Sequence, residues 1–165
     1  KECDYGVVGR IVDYTPGEND VLAMAIADPG AKRTLSRLLL ERGAVFENII
    51  HPGADLKEFS SMGVGNVIYG GFSMSNNVQI GNFTTLLSSL IGHDVQIGDY
   101  TTISALCNIT GYVKIGEGVF IGGSCAVVPH AVIEDNAYVG MGSVVLRRVK
   151  AGKKVFGNPA RVVNI

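Results

Sequence analysis

A branched aliphatic residue recurs at every sixth position from residue 97 to residue 145. The nine positions are Ile97, Ile103, Ile109, Ile115, Ile121, Val127, Ile133, Val139 and Val145. A helix repeats with a period of about 3.6 residues and a strand with a period of about two, so neither accounts for this spacing. The residues four positions later are all small or compact, namely Thr101, Cys107, Val113, Val119, Cys125, Ala131, Ala137, Ser143 and Val149. We therefore predict a solenoid whose six-residue units each form one short side of a coil.

Three such sides close a coil of eighteen residues, so side chains eighteen positions apart are expected to stack. A weaker run of six-residue steps precedes the regular part and consists of Ile68, Met74, Ile80 and Leu86. The step from Leu86 to Ile91 is only five residues, which predicts one shortened corner between residues 83 and 89. Over residues 64–149 the pattern predicts about five coils of a mainly β fold.

The chain before residue 53 has a different pattern. The predicted elements are strands over residues 5–14, 20–27 and 44–50 and a helix over residues 31–42. This order predicts a partial, Rossmann-like α/β domain over residues 1–52, followed by a β-helix domain over residues 53–165 with a basic C-terminal tail. No glycine-rich phosphate loop joins the first strand to the helix. Because the chain lacks an initiator methionine, we expect further residues upstream of Lys1.

Composition excludes several classes of partner. The formal net charge is -1, from 14 basic and 15 acidic residues, so neither nucleic acid nor an anionic membrane surface is predicted as a partner. No run approaches the ~20 apolar residues of a membrane span, and no signal sequence is recognisable, so we expect a cytoplasmic protein. Cys3, Cys107 and Cys125 have no metal-type spacing. Cys107 and Cys125 are eighteen residues apart and are expected to stack as reduced core thiols.

One histidine combines with the stacking rule to suggest chemistry. His93 lies two residues after the core-facing Ile91, so an outward-facing imidazole is expected there that can accept a proton. Asp94 can fix the tautomer of His93 if the chain bends between them, because adjacent side chains on a straight strand diverge. Gly111 lies eighteen residues after His93 and offers a backbone N–H to an oxyanion. The competing interpretations are a surface histidine, a solvated turn aspartate and a corner glycine that requires positive φ.

The hexads, the segment IGHDVQIGD at residues 91–99, Gly111 and the closing VFGNPAR at residues 155–161 together resemble a known family. They resemble the left-handed β-helix (hexapeptide-repeat) acyltransferases, and most of all the sialic acid O-acetyltransferase and nucleotide-amino-sugar N-acetyltransferase group. The resemblance implies a left-handed coil, acetyl-CoA as co-substrate, no metal, and a homotrimer in which acyl-CoA lies between two subunits. It also implies that His93 is the general base, Asp94 its carboxylate partner and Gly111 the amide near the acyl carbonyl.

Further steps of eighteen residues lead from Gly111 to Pro129 and Arg147. A pantetheine arm along this column would bring the CoA phosphates to a basic C-terminal cluster, which suits their charge. The residues expected to bind the co-substrate are Gly111, Pro129, Arg147, Lys153, Lys154, Asn158, Pro159, Ala160 and Arg161. Taken singly, the cations of this set are equally compatible with solvated surface charges.

Two positions depart from the family pattern. Thr102 stands where some amino-sugar N-acetyltransferases carry a second histidine, and residues 86–89 (LLSS) stand where members often have an asparagine. Ser88 and Thr102 are therefore the candidate acceptor contacts, and the identity of the acceptor stays open.

These features predict an acetyl-CoA-dependent acetyltransferase with direct transfer to a hydroxyl or amine of a sugar or nucleotide sugar. Two other classes stay open. A β-helix zinc carbonic anhydrase needs three histidines at one metal, but His51 precedes the solenoid and His93 and His130 are 37 residues apart. A non-catalytic structural or binding β-helix would carry a regular ladder of threonines, whereas only Thr84 and Thr102 are eighteen residues apart.

Overall fold

The N-terminal part of the chain forms a β-α-β unit beside the solenoid. The computed structural model describes residues 6, 7 and 9–164, so Cys3 and the start of the predicted strand over residues 5–14 lie outside the described residues. The described elements are a 3-10 turn (Ile11–Asp13), β1 (Val21–Leu22), α1 (Pro29–Glu41) and β2 (Val45–Phe46). β1 and β2 are parallel neighbours, as strands joined through a helix usually are.

The bounds of α1 follow from its terminal residues. The Asp28 carboxylate accepts a hydrogen bond from the Ala31 N–H at 2.7 Å, and Pro29 occupies the first turn, where its missing N–H costs nothing. Gly43 follows the helix with a φ of 85°, and its N–H donates to the Leu40 carbonyl at 2.9 Å. The predicted helix over residues 31–42 is therefore confirmed to within two residues at each end.

The first predicted strand is wrong in its described part. Residues 9–14 contain the 3-10 turn instead, and the side chains of Ile11 and Val12 stay 43% and 48% exposed. A strand forms only where a neighbour completes its hydrogen bonds, and no described strand lies beside this segment. Among the described residues the N-terminal sheet has two strands, which is less than the Rossmann-like domain expected over residues 1–52.

The predicted strand over residues 44–50 is two strands that belong to different sheets. β2 pairs with β1, whereas β3 (Ile49–Ile50) pairs with the solenoid. Asn48 lies at the bend between them, where its amide donates to the Gly63 carbonyl at 2.8 Å and accepts from the Asn66 N–H at 2.8 Å. The solenoid therefore begins at Ile49, four residues before the expected boundary at residue 53.

The solenoid is a parallel β-helix with three faces, each made of short parallel strands. The first face contains β3, β5 (Val67–Ile68), β8 (Thr85–Leu86), β11 (Thr102–Ile103), β14 (Phe120–Ile121), β17 (Tyr138–Val139) and β19 (Lys154–Phe156), and β20 (Arg161–Val162) adds antiparallel to β19. The second face contains β6 (Ser73–Met74), β9 (Leu90–Ile91), β12 (Asn108–Ile109), β15 (Ala126–Val127) and β18 (Val144–Val145). The third face contains β4 (Ser61–Met62), β7 (Gln79–Ile80), β10 (Gln96–Ile97), β13 (Lys114–Ile115) and β16 (Val132–Ile133). We name the corners by the faces they join: the first corner joins faces one and two, the second faces two and three, and the third faces three and one.

Six coils run from Ile49 to the bridge residue Val149, one more than the five predicted. The additional coil is the first, whose faces are marked by Ile50, Leu56 and Met62. These residues continue the six-residue spacing, but none is fully buried, because no coil lies beneath them. An end coil packs on one neighbour only, so its apolar pattern is weaker than that of the interior coils.

The predicted short corner lies at residues 87–89. Strand pairs above and below it are offset by eighteen residues, but the third coil is one residue shorter, so Thr85 pairs with Thr102 at an offset of seventeen. The expected stacking of Thr84 on Thr102 is therefore wrong by one residue. Most of the other corners place a residue of positive φ at their third position, such as Leu106 at 63°, and residues 87–89 contain none.

The repeat fills one continuous core. The nine aliphatics from Ile97 to Val145 are all at most 3% exposed, and the small residues before each strand are buried as well. Cys107 and Cys125 are 2% and 1% exposed and stack at the first corner, as predicted, and both are free thiols. A second cluster joins Leu39 and Phe46 of the N-terminal unit to residues of the third corner.

Candidate active site

The second corner carries the histidine that the sequence singles out. In the third coil, residues 92–95 form this corner between β9 and β10, and Asp94 has a φ of 59°. This left-handed conformation is the bend that lets adjacent side chains converge, and aspartate adopts it more readily than most residues. The His93 Nδ1 lies 2.7 Å from the Asp94 Oδ2. The predicted pairing of His93 with Asp94 is therefore present in the structure.

The carboxylate of Asp94 is poised to act on the imidazole as an anion. Hydrogen bonds from His93 and from Asn77 hold the pKa of Asp94 below its usual range. A carboxylate only accepts hydrogen bonds, so the neutral imidazole carries its proton on Nδ1 and leaves the Nε2 lone pair free. The His93 side chain as a whole is 54% exposed.

Gly111 lies one coil above His93, as the stacking rule predicts. A Cβ on Gly111 would lie 2.8 Å from the His93 Nε2 and 2.9 Å from its Cε1, so only glycine allows the imidazole this close. Among the described residues, the Gly111 N–H takes no part in the ladder of backbone hydrogen bonds that joins the coils. The His93 Nε2 and the Gly111 backbone therefore border the same small space, and the ladder leaves the Gly111 N–H available.

Two rings that sequence reasoning did not assign to the site flank this space. Tyr112 meets the His93 ring edge to face at a centroid distance of 5.0 Å, and His130 stacks on Tyr112 at 4.8 Å. Both have a φ of 61° at the third position of their corners, one coil apart. The stacking rule applied to Asp94 instead of His93 would have found both residues, because they follow Asp94 in steps of eighteen.

The column above Gly111 leads to a basic cavity at the C-terminal end of the solenoid. The cavity has a volume of about 670 Å³, and its lining includes Arg147, Arg148, Lys150, Lys153, Pro159, Ala160 and Arg161. Arg148 also pairs with Glu134 at 3.4 Å. Four of the residues predicted to bind the co-substrate do not line the cavity. Gly111 and Pro129 belong to the column below it, and Lys154 and Asn158 lie in the same C-terminal segment as the lining residues.

The structure does not bring the two candidate acceptor residues to His93 within the chain. Thr102 is 1% exposed on the first face, where its hydroxyl donates to the Ala27 carbonyl at 2.6 Å and accepts from the Lys32 ammonium at 3.0 Å. Thr102 therefore anchors the N-terminal unit. Ser88 lies at the first corner and donates to the Gly70 carbonyl. The burial of Lys32 was not predicted, because a lysine on an amphipathic helix usually faces solvent.

The remaining histidine, His51, lies in the first coil of the solenoid and not before it as expected, because β3 already pairs with β5. His51 accepts a hydrogen bond from the Gly53 N–H at 2.9 Å on Nδ1 and stabilises the turn there. Within residues 6, 7 and 9–164, no three histidine, cysteine or acidic side chains gather where a metal ion could bind. In the same residues no helix has the length and apolar character needed to cross a bilayer.

Six-residue units that close into stacked three-sided coils are typical of hexapeptide-repeat proteins, and part of this chain matches a model of that family. Residues 112–147 match the family described as bacterial transferase hexapeptide (six repeats). The chain is similar to GDP-perosamine N-acetyltransferase of Escherichia coli O157:H7, with 35% identity over 145 residues that cover 84% of the chain. It spans 65% of the length of that relative.

Two solved structures have the same fold. PerB from Caulobacter crescentus, in complex with CoA and GDP-perosamine, has a TM-score of 0.85 and 26% identity, and the match covers 87% of this chain and 70% of PerB. WeeI from Acinetobacter baumannii AYE has a TM-score of 0.86 and 27% identity, with 92% of this chain and 74% of WeeI covered.

Proposed function

We propose that this chain is the acetyl-transferring part of an acetyl-CoA-dependent N-acetyltransferase whose acceptor is a nucleotide-linked amino sugar such as GDP-perosamine. The observation that carries the proposal is the approach of the His93 Nε2 to Gly111 on a column that leads to the basic cavity. The relatives support the same chemistry, since one is named GDP-perosamine N-acetyltransferase and another binds CoA and GDP-perosamine.

In this proposal His93 is the general base. The acceptor amine attacks the thioester carbonyl carbon, a nitrogen–carbon bond forms, and the amine proton passes to the His93 Nε2. The Asp94 carboxylate stabilises the imidazolium that results. The carbon–sulfur bond then breaks, and the imidazolium returns the proton to the departing CoA thiolate. The products are the N-acetylated sugar and free CoA, with His93 back in its neutral form.

Gly111 supplies the second element of the mechanism. The negative charge of the tetrahedral intermediate develops on the thioester oxygen, and the unused Gly111 N–H donates a hydrogen bond to it. A preorganised N–H of this kind contributes about 2.7–4 kcal/mol to acyl transfer in known enzymes. The same glycine keeps the base and the oxyanion donor in one small space, because it has no side chain.

The co-substrate follows from the column and the cavity. The pantetheine arm runs past Gly111 and Pro129, and the phosphates of CoA lie among Arg147, Lys153 and Arg161. Guanidinium groups bind phosphate through paired hydrogen bonds, which suits a cavity lined by two arginines of this set.

We also propose a homotrimer with CoA between adjacent subunits, as the resemblance implies. The support is a set of exposed apolar side chains along the first corner and the second face: Tyr69, Leu90, Leu106 and Met141, which are 49–76% exposed. Sedimentation equilibrium should give three times the chain mass, and a Leu106→Glu substitution should lower it.

Two further proposals concern the surroundings of this catalytic part. We propose that β1, α1 and β2 belong to the Rossmann-like domain expected over residues 1–52, which a crystal structure of the product of the complete reading frame would test. We also propose a cytoplasmic location, supported by two stacked thiols, Cys107 and Cys125, that remain free.

The direct test is thiol release from acetyl-CoA in the presence of candidate acceptors. We expect turnover with nucleotide-linked amino sugars, GDP-perosamine among them, and the gain of one acetyl group on the sugar by mass spectrometry. A His93→Asn substitution should lower kcat by about 10²–10⁴-fold, since general-base catalysis contributes that much. Turnover that is unchanged in this variant, or seen only with sialic acids, would overturn the proposal.

A further inference from the structure

Asn77 contacts the catalytic pair from the coil below. It occupies the third position of the second corner in the second coil, as Asp94 does in the third coil, and their φ angles are 58° and 59°. The Asn77 side-chain amide donates a hydrogen bond to the Asp94 Oδ1 at 2.6 Å. Because the third coil is one residue short, the two residues are seventeen positions apart, and a search in steps of eighteen misses Asn77.

The contact changes what Asp94 can do. The carboxylate uses Oδ2 for the His93 Nδ1 at 2.7 Å and Oδ1 for Asn77, so both oxygens have a partner. The Asp94 N–H also donates to the Asn76 carbonyl at 3.1 Å, which fixes the backbone of the corner. The Asp94 side chain is still 31% exposed, and water would compete for the carboxylate if one partner were lost. Second partners of this type commonly fix the orientation and tautomer of a histidine.

We infer that Asn77 is a positioning residue, which holds the Asp94 carboxylate in the plane that keeps the His93 proton on Nδ1 and Nε2 free toward Gly111. This inference rests on the proposed function for its effect on rate, but not for its effect on the imidazole. The charged or titratable groups that face His93 are Asp94 and Tyr112, with His130 behind Tyr112.

The variant that isolates the contact is Asn77→Gly. Glycine adopts positive φ without strain, so the backbone of the corner keeps its shape while the amide donor disappears. The matched control is Asn136→Gly, an asparagine with a φ of 56° at the equivalent position of the third corner, whose side chain contacts Arg33. Thermal unfolding of both variants measures any loss of folding.

Two readouts separate positioning from a general structural effect. Nitrogen-15 NMR of the imidazole at pH 8 should show one tautomer of His93 in the wild type and in Asn136→Gly, and a mixture of two tautomers in Asn77→Gly. With acetyl-CoA and the acceptor, Asn77→Gly should lower kcat about tenfold, in the range known for outer-shell partners, while KM for acetyl-CoA changes less than twofold.

The outcomes decide the inference in each case. A single tautomer in Asn77→Gly, or a kcat equal to that of the wild type, overturns it. If Asn77→Gly does not fold, the Asn77→Asp variant tests the inference instead. A carboxylate at residue 77 repels the Asp94 carboxylate and cannot donate a hydrogen bond to it. A kcat at pH 8 equal to that of the wild type would then overturn the inference. If the wild type has no acetyltransferase activity but Asn77→Gly still shows a mixture of tautomers, the proposed function is refuted and the inference stands.

Discussion

The second and third corners of the solenoid have the same backbone conformation but differ in what covers them. Both place residues of positive φ in a column, with Asp94 and Tyr112 at 59° and 61° on one corner and Tyr100 and Asn136 at 59° and 56° on the other. At the third corner Phe46 of the N-terminal unit meets Phe83 edge to face at 5.0 Å. At the second corner the described part of the chain leaves His93 half exposed.

The two corners differ in their side chains and in whether the N-terminal unit packs against them. Phe83 and Tyr100 stack at 5.6 Å and join Leu39 and Phe46 in a buried cluster, so the third corner holds two parts of the chain together. Arg33 of α1 adds an ion pair to Glu117 at 3.1 Å. The hexad repeat thus supplies a uniform frame, and the residues at the corner positions decide whether a column stabilises the fold or is available for chemistry.

The largest expected effect separates the two corners through their glycines. Gly111→Ala places a Cβ against the His93 imidazole, so we expect kcat to fall about 10²–10³-fold as the proposed base and the proposed oxyanion donor lose their geometry, with little loss of stability. Gly118→Ala, at a φ of 65° on the third corner, would overlap the Arg33 guanidinium and should lower the unfolding free energy with kcat nearly unchanged. Steady-state kinetics and urea unfolding of both variants make the test. Loss of activity in Gly118→Ala alone would contradict the division of roles.

The next largest expected effect is on stability and concerns Lys32, the buried lysine of α1. Lys32 is fully buried, and its ammonium donates to the Thr85 and Thr102 hydroxyls at 2.9 and 3.0 Å. Burial lowers the pKa of Lys32 to about 7, with the Asp28 carboxylate opposing the shift. In the unfolded chain a lysine keeps its proton to about pH 10.4. Between pH 7 and pH 10 the unfolded state therefore holds more protons, and stability rises with pH.

A Lys32→Met substitution removes this pH dependence. We expect the unfolding free energy of the wild type to increase by about 2 kcal/mol from pH 7 to pH 9, and that of the variant to change much less. Urea unfolding at three pH values gives the difference. If the unfolding free energies of the two proteins changed with pH in the same way, the pKa of Lys32 would not be lowered in the folded chain.

The sequence predicts the repeated features of this molecule and misses the single ones. The hexads give the solenoid, and the eighteen-residue step brings His93 to Gly111, because both follow from a regular backbone. The step fails at residues 87–89, where one missing residue shifts Thr85 onto Thr102 and hides Asn77. Lys32 is invisible for another reason: its burial depends on the docking of α1, which leaves no local pattern.

An effect of intermediate size tests whether the open column continues to the cavity. In the double variant Arg147→Gln and Arg161→Gln we expect KM for acetyl-CoA to rise about tenfold, or 1.4 kcal/mol, with kcat unchanged, because phosphate contacts bind substrate and transition state alike. The difference should shrink at high salt, which screens exposed charges. Lys57→Gln, at the other end of the solenoid, is the control. An unchanged KM would place CoA elsewhere.

The smallest expected effect compares two histidines of the same open corner. His130 stacks on Tyr112 at 4.8 Å two coils above His93, but nothing in the described structure pairs it with a carboxylate. In His130→Asn we expect kcat/KM to change less than threefold, since asparagine accepts the φ of 61° and only a ring contact worth about 0.5–1.5 kcal/mol is lost. The acid limb of the pH profile should stay in place, because His93 and not His130 is the proposed base. A limb that moved or vanished in His130→Asn would assign the base to the upper histidine, and the contrast between an oriented imidazole beside Asp94 and a stacked one beside Tyr112 would then be wrong.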